Sequence, residues 1–312
     1  MKSSTLQPEV LRTLTLAPGA AGRHPHLSAA SGLVVTSSCL YVVADDEHHL
    51  GVFPARGNGD STLVRIVAGD LPRRKKPRKA QKPDFESLVR WPPFGNFSSG
   101  ALLALGSGSR PTRRAGVLLA FDDTQALHGD PRPVDASEFF VALNEKIDEI
   151  NIEGAFASGT DVVLLQRGNA GAGRGAVIRV PMASLVEQPG GPFLRRPESL
   201  HIHTCDLGAV GGVPLGFTDG AALPDGTFVF SAVAEATDDS YEDGVCEGSA
   251  VGVATLEGRV LALHTLAGRP KVEGVAAHVR GDVVDLLLVT DADDAAVPAS
   301  VLALSLPGYP FL

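Results

Sequence analysis

The chain has 312 residues, of which 44% are hydrophobic, and a formal net charge of −9. This composition is sufficient for a large core and argues against a basic nucleic-acid-binding protein. The N-terminal MKSSTLQPEV lacks the apolar stretch of a signal peptide, and no apolar run reaches the roughly 20 residues that span a bilayer. Three cysteines without CxxC spacing do not indicate a disulfide framework. We therefore expect a cytoplasmic protein that enters no membrane.

Short apolar runs separated by turn residues fill most of the chain, which predicts many strands and few helices. They group into five repeats. The predicted strands of the first three repeats are 32–36, 39–44, 49–53 and 62–67; 85–91, 101–108, 115–121 and EFFVAL at 138–143; and 152–157, 161–167, 175–180 and 199–205. Those of the last two are the runs on either side of Pro224-Asp225-Gly226, then 249–255 and 259–265; and 272–279, 282–289 and 300–306.

The fifth repeat lacks one strand, and the unassigned N-terminal run at 10–16 can supply it. This pairing would close a ring of blades and leave no open edge between the first and the last. The sequence thus predicts an all-β fold, a five-bladed β-propeller that forms a single domain over residues 1–312. Six blades remain an alternative, in which 68–84 or 183–199 holds the sixth, although both segments are rich in proline or charge.

An acidic residue opens four of the five repeats. These acids are Glu86 in FESL, Glu153 in IEGA, Asp219 in TDGA and Glu273 in VEGV. Innermost strands run side by side around the channel of a propeller, so the four acids are expected to form one ring. Carboxylates about 5 Å apart repel by roughly 3 kcal/mol per pair, so the ring needs a cation, arginines or protons. Hard oxygen ligands favour calcium over magnesium or manganese. Alternatively, the acids only accept backbone hydrogen bonds at the channel mouth.

The ends of the predicted second strands carry polar residues and should lie on the same face as the acids. The side chains expected to bind a ligand there are Ser107, Arg110, Arg167 and Asn169, and the candidates for a general base are Glu235 and Asp291. Both arginines are also candidate counter-ions of the ring.

The run LPRRKKPRKAQKP at 71–83 contains seven Lys/Arg and ends just before Glu86. We expect it to lie above the acidic face and to attract an anionic ligand such as phosphate; the alternative is a solvated loop. Its lack of aromatic residues disfavours nucleic acid as a partner. A separate candidate metal site is formed by His201, His203 and Cys205, which alternate along one predicted strand.

Several inner-strand motifs resemble those of calcium-dependent apyrase-type nucleotidases and esterase-like phytases. They are KVEG at 271–274, GFTDG at 216–220 and the EG dipeptide at 153–154. The resemblance implies a central calcium ion held by the four repeated acids, with Ser31 as a fifth member, and a nucleotide-like substrate above it. The whole sequence also resembles an uncharacterised bacterial β-propeller family, for which membership implies a fold but no particular chemistry.

These features predict a metal-dependent hydrolase of a phosphorylated or other anionic small molecule. A first alternative is a non-catalytic propeller that binds a ligand or a protein. A second is a six-bladed lactonase or sugar-acid hydrolase, which the absence of an early Glu in an EGP-like context disfavours.

Overall fold

Five sheets of consecutive strands form the fold in the computed structural model, which describes residues 4–17, 24–57, 61–72, 74–168, 175–185, 194–236 and 244–311. The elements of the N-terminal segment and the first two blades are β1 (Ser4–Leu6), β2 (Glu9–Thr13), β3 (Ala30–Val35), β4 (Cys39–Ala44), β5 (His49–Pro54), β6 (Thr62–Arg65), α1 (Lys75–Gln81), β7 (Phe85–Trp91), β8 (Ala101–Gly106), β9 (Ala115–Phe121) and β10 (Leu127–Asp135). Those of the third blade are α2 (Ser137–Asn144), β11 (Ile152–Ser158), β12 (Asp161–Gln166), β13 (Gly175–Pro181) and β14 (His201–Cys205).

The last two blades complete the ring. Their strands are β15 (Ala209–Val210), β16 (Val213–Ala222), β17 (Thr227–Ala236), β18 (Val245–Thr255), β19 (Val260–Leu266), β20 (Val272–Arg280), β21 (Val283–Thr290) and β22 (Ser300–Pro307). Short 3₁₀ helices lie at Pro111–Arg113 and Met182–Ser184. The innermost strands β3, β7, β11, β16 and β20 each pack against the next, and β20 packs against β3. The predicted five-bladed propeller is therefore confirmed.

The middle strands of the blades are apolar because neighbouring blades cover both of their faces. Every residue of β8 (ALLALG) and of β12 (DVVLLQ) is buried. Aromatic residues fill the interface between the third and fourth blades, where the ring centroids of Phe156 and Phe228 lie 5.1 Å apart. Such burial on both faces explains why these strands appear in the sequence as continuous apolar runs instead of alternating ones.

The N-terminal segment closes the ring as predicted, and it also pairs with a strand of a second blade. Strand β2 pairs antiparallel with β22, the third strand of the fifth blade, with Glu9 opposite Ala303. Strand β1 adds in parallel to β19 of the fourth blade, with Leu6 opposite Leu266. One short segment therefore covers the outer edges of two adjacent blades. The sequence did not predict the pairing of β1.

The predicted strand at 138–143 is wrong. EFFVAL lies in helix α2, whose buried residues Phe139, Phe140 and Leu143 have helical spacing. Phe140 packs so closely over Gly108 that a Cβ at Gly108 would lie 2.1 Å from its ring. The fourth strand of the second blade is instead β10, with sequence LHGDPRPVD. It was missed because its Gly and two Pro residues are unfavourable in strands, although an outermost strand tolerates them.

The two segments proposed for a sixth blade form no strand in the parts that the structure describes. Residues 68–84 contain α1. Within 183–199, residues 183 and 184 end the 3₁₀ helix Met182–Ser184, and the described residues 185 and 194–199 are turn or irregular. No helix in the described ranges is both long and apolar enough to cross a membrane.

Candidate functional site

Each innermost strand contains a β-bulge at the position where its channel-lining residue lies. The register shifts between Phe85 and Ser87, Ile152 and Gly154, Phe217 and Asp219, Val272 and Gly274, and Ala30 and Leu33. The residues left unpaired are Glu86, Glu153, Thr218 and Glu273, and Ser31 with Gly32 in the first blade. A bulge redirects a side chain and bends its strand, so five equivalent residues reach the same end of the channel.

Asp219 is not the fourth member of this set, since the unpaired residue of the fourth blade is Thr218. The Asp219 carboxylate accepts hydrogen bonds from the backbone N–H of Gly220 at 2.8 Å and of Val275 at 2.9 Å. It is only 2% exposed, and its burial raises its pKa well above the usual value, although N–H donors including that of Leu33 oppose the shift. Asp219 thus links innermost strands of three blades and matches the predicted structural alternative.

Glycine follows the bulge in other blades because the innermost strands are very close there. A Cβ on Gly154 would lie 2.6 Å from the Cα of Asp219, and one on Gly274 would lie 2.6 Å from the carbonyl oxygen of Ser31. Both distances are shorter than any van der Waals contact. The EG pattern in the sequence therefore combines a side chain at the channel with a glycine that permits blade packing.

The ends of the second strands provide a second tier of residues around the channel. Backbone N–H groups of Ser107, Arg167 and Asp291 donate to the residue that precedes the innermost strand of the same blade, each at 3.0 Å. Asp45 makes the equivalent bond at 3.3 Å to Ala29. As predicted, this tier lies on the same face as the bulged glutamates. We call the channel end lined by both tiers the acidic mouth.

Arg167 is the counter-ion between two carboxylates of the acidic mouth. Its guanidinium lies 3.3 Å from Glu153 and 2.6 Å from Glu235. The side chain crosses Gly216 of the fourth blade, where a Cβ would approach its Cγ to 2.7 Å. Burial would lower the pKa of Arg167, but Glu153 and the glutamates around it hold that pKa above the usual value. Arg167 therefore stays charged and ion-paired within the protein.

Lys271 neutralises the other side of the mouth, and the sequence did not identify it. Its Nζ lies 3.3 Å from Glu235, 3.5 Å from Glu273 and 2.6 Å from Asp293. Glu235 is thus ion-paired on two sides, although its Oε1 forms no hydrogen bond with a described residue. The lysine immediately precedes VEGV, so the EG motif could have drawn attention to it.

A third group joins the first two blades. Lys82 forms ion pairs with Asp45 and, at 3.0 Å, with Asp84. The Asp84 carboxylate also forms an ion pair with Arg113 at 2.8 Å and accepts a hydrogen bond from the Ser107 hydroxyl at 2.5 Å. The carboxylates of Asp45, Asp84 and Glu86 each place one oxygen within 4.8 Å of the other two. Within the described ranges, this is the group of acids whose oxygens lie close enough together to bind one metal ion.

The structure does not bring all of the predicted ligand-binding residues to this position. Arg110 is exposed at the start of the 3₁₀ helix, and the buried Arg113 three residues later pairs with Asp84 instead. Asn169 lies outside the described residues. Ser107 is fully buried, and its hydroxyl donates a hydrogen bond to Asp84. His201 and His203 lie on the outermost strand β14 away from the mouth, and no described acid, His or Cys groups with them as metal ligands.

Burial raises the pKa of several carboxyl groups at the mouth. Burial, followed by repulsion from Glu153 and Asp84, raises the pKa of Glu86 well above its usual value. Burial also raises the pKa of Glu273 to about 7, although Lys271 and Arg167 oppose the shift, and that of Asp291 to about 8. The mouth thus contains more carboxyl groups than its cationic side chains neutralise.

This excess predicts a pH dependence of stability. Because the folded protein binds protons at Glu273 up to about pH 7 and the unfolded chain only to its usual 4.5, stability falls as the pH rises through this window. Asp291 acts in the same direction up to about pH 8. In the presence of a chelator, we expect urea denaturation to give a lower free energy of unfolding at about pH 8 than at about pH 4.5, by on the order of 2 kcal/mol. The Glu273→Gln variant should reduce the difference; an unchanged slope would contradict the assignment.

Comparison with solved structures agrees with a propeller fold. An α-L-arabinofuranosidase from Podospora anserina, solved with cellotriose, has a TM-score of 0.50 and 9% identity, with 98% of each chain covered. The catalytic domain of an α-L-arabinofuranosidase from Coprinopsis cinerea has a TM-score of 0.50 and 10% identity, covering 97% of this chain and 98% of its own. At such identities the similarity is one of fold only.

No curated protein matches the chain. The comparisons do not support the predicted resemblance to apyrases and phytases or a bacterial origin, whereas the predicted membership of an uncharacterised family is confirmed. A model described as a family of unknown function (DUF6929) matches residues 26–306, and the chain belongs to that family.

Proposed function

We propose that the acidic mouth binds a divalent cation, calcium most readily, and that the protein hydrolyses a phosphorylated or other anionic small molecule there. The observation that carries the proposal is the grouping of Asp45, Asp84 and Glu86. Their oxygens lie within 4.8 Å of one another, which is about twice the 2.3–2.6 Å length of a calcium–oxygen bond. One ion could therefore contact all three.

The donor set fits the chemistry of such an ion. Carboxylate oxygens are the hard ligands that calcium prefers, and a buried excess of negative charge favours a cation. No described residue forms an ion pair or hydrogen bond with the Glu86 carboxylate, so Glu86 is available as a ligand. Of the four acids predicted from the sequence, Glu86 remains the ligand of this proposal, since Glu153 and Glu273 face Arg167 and Lys271 and Asp219 binds backbone.

A bound cation would polarise a phosphoryl oxygen or lower the pKa of a water molecule. The protein itself supplies charge and protons. Arg167 and Lys271 add two cationic groups to the same mouth through their pairs with Glu235 and Glu273, and these can help to balance the charge of an anionic substrate. Asp291 holds a proton near neutral pH, since its pKa is raised to about 8 by burial and then by Asp45, and so suits donation to a leaving group. Glu235, which pairs with Arg167 and Lys271, is the candidate proton acceptor.

One observation favours a second candidate, a non-catalytic propeller that binds a ligand at the same mouth. Four cationic side chains already lie among the carboxylates, namely Lys82, Arg113, Arg167 and Lys271. These internal counter-ions stabilise the mouth whether or not a metal or a substrate is bound. The two candidates differ in whether a cation confers turnover.

The test combines metal content, thermal melting and hydrolysis. Purified protein is stripped with EDTA, resupplied with Ca²⁺, Mg²⁺ or Mn²⁺, and assayed on nucleotides, phytate, simple phosphoesters and lactones. We expect Ca²⁺ to raise the Tm and at least one substrate to be hydrolysed, with the rate lowered at least roughly 100-fold by EDTA or by Glu86→Gln. Glu257→Gln is the control, since that side chain is 62% exposed. Stabilisation without turnover would support the binding module, and no response to any cation would reject the metal site.

A further inference from the structure

We call the segment 71–83 the basic flap; its described residues 74–83 are attached to the acidic mouth by polar contacts. Arg78 lies 2.9 Å from Asp46 and 3.2 Å from Glu47. Lys82, the extended residue that follows the last turn of α1, pairs with Asp45 and Asp84. The cations of Arg78 and Lys82 therefore both contact acids of the first and second blades.

No apolar anchor of α1 accompanies these ion pairs. None of its described side chains belongs to a core cluster, and Lys76, Pro77 and Ala80 are exposed. The residue before the helix, Arg74, makes no side-chain cap. A seven-residue helix with like charges is unstable in isolation. Electrostatic attraction to the acidic mouth is therefore the main contribution that holds α1 in place.

The Lys82 ammonium occupies the place where a cation would bind. It contacts Asp45 and Asp84, two of the three carboxylates whose oxygens group within 4.8 Å, and Glu86 lies beside it. An ammonium and a metal ion cannot share these oxygens at bonding distance, because like charges that close repel strongly. Binding of a divalent cation must therefore displace Lys82.

We infer that Lys82 is an intramolecular competitor for the cation and that the basic flap is a lid released by cation binding. The inference rests on the proposed cation site. In the closed state the flap neutralises the acids and blocks access to them. A divalent ion gives Asp45 and Asp84 a stronger partner than Lys82, and its charge also weakens the attraction of Asp46 and Glu47 for Arg78. The flap then leaves, and the mouth opens to an anionic substrate.

The test is calorimetric titration of Ca²⁺ into the protein and its variants. Lys82→Met removes the competitor, and Lys76→Met removes the same charge from the exposed face of the same helix. We expect Lys82→Met to bind Ca²⁺ roughly tenfold or more tightly than the wild type, because closure no longer reduces the competent fraction. Lys76→Met should bind like the wild type. Arg78→Met, which loosens the flap but keeps Lys82, should also bind more tightly.

Hydrogen exchange of the backbone amides in α1 provides a second readout in the wild type. Ca²⁺ should accelerate this exchange relative to NaCl at the same ionic strength. If the wild type binds Ca²⁺ but Lys82→Met and Arg78→Met bind it no more tightly than the wild type, the inference of a lid is wrong and the proposed cation site still stands. Unchanged exchange in α1 on Ca²⁺ binding would also refute it. If neither the wild type nor Lys82→Met binds any divalent cation, the cation site fails, and the inference fails with it.

Discussion

Replacing Arg167 by methionine is expected to lower the free energy of unfolding by about 3–5 kcal/mol. It leaves the buried Glu153 without its ion-pair partner and leaves Glu235 with Lys271 alone. Glu153 and Glu235 both rely on this guanidinium, and the side chains of the two acids are 9% and 10% exposed. Methionine preserves the unbranched stem that crosses Gly216, so the loss would reflect charge more than packing. Urea denaturation at constant pH with a chelator measures the effect.

The control for Arg167→Met is Arg280→Met, in which an exposed arginine paired with Asp285 is lost. Its Tm should barely change, because surface ion pairs contribute little. Adding Glu235→Gln to Arg167→Met should recover part of the loss, as a double-mutant cycle would reveal. Equal effects of Arg167→Met and Arg280→Met would contradict the role of Arg167 as the internal counter-ion of the mouth.

Replacing Asp219 by alanine is expected to cost about 2–5 kcal/mol of stability, because it deprives buried N–H groups of their acceptor. The donors at Gly220 and Val275 belong to different blades, so the variant should also loosen the packing of the fourth blade against the fifth. Asparagine should recover only part of the loss, because it retains one oxygen but turns an NH₂ group toward backbone donors. Thermal melting and urea denaturation test both variants.

Asp285→Ala is the matched control for Asp219→Ala, since the Asp285 carboxylate binds Arg280 and Ser305 near the surface. It should have little effect. Calcium affinity separates the two accounts of Asp219. If Asp219→Ala folds with unchanged stability but loses Ca²⁺ binding, the sequence-based assignment of Asp219 as a metal ligand is correct and the structural role is wrong.

The blade count and the ring closure could be predicted because they depend on local patterns. Middle strands buried on both faces appear as apolar runs such as 101–106, and turns such as Pro224-Asp225-Gly226 separate them. The unassigned run at 10–16 fitted the one blade that lacked a strand. The repeated acids could also be located, because each bulged Glu is followed by a residue compatible with close packing.

The details of the mouth depend on information that single segments do not contain. A bulge shifts the register by one residue, so Thr218 and not Asp219 takes the channel position, although TDGA resembles the EG motifs. Ion pairs between blades cannot be predicted from local sequence patterns either, since partners such as Lys82 and Asp45 are far apart in sequence. The helix at 137–144 was missed because its short apolar run fits a strand as well as a helix.

The most direct test of the cation site is a crystal structure of the protein with Mn²⁺, using the anomalous signal of the ion. We expect a peak at bonding distance from Asp45, Asp84 and Glu86, with Lys82 withdrawn from between them and α1 displaced. An ion found at another group of ligands, or no ion at saturating Mn²⁺ with Lys82 still paired to Asp45 and Asp84, would contradict it.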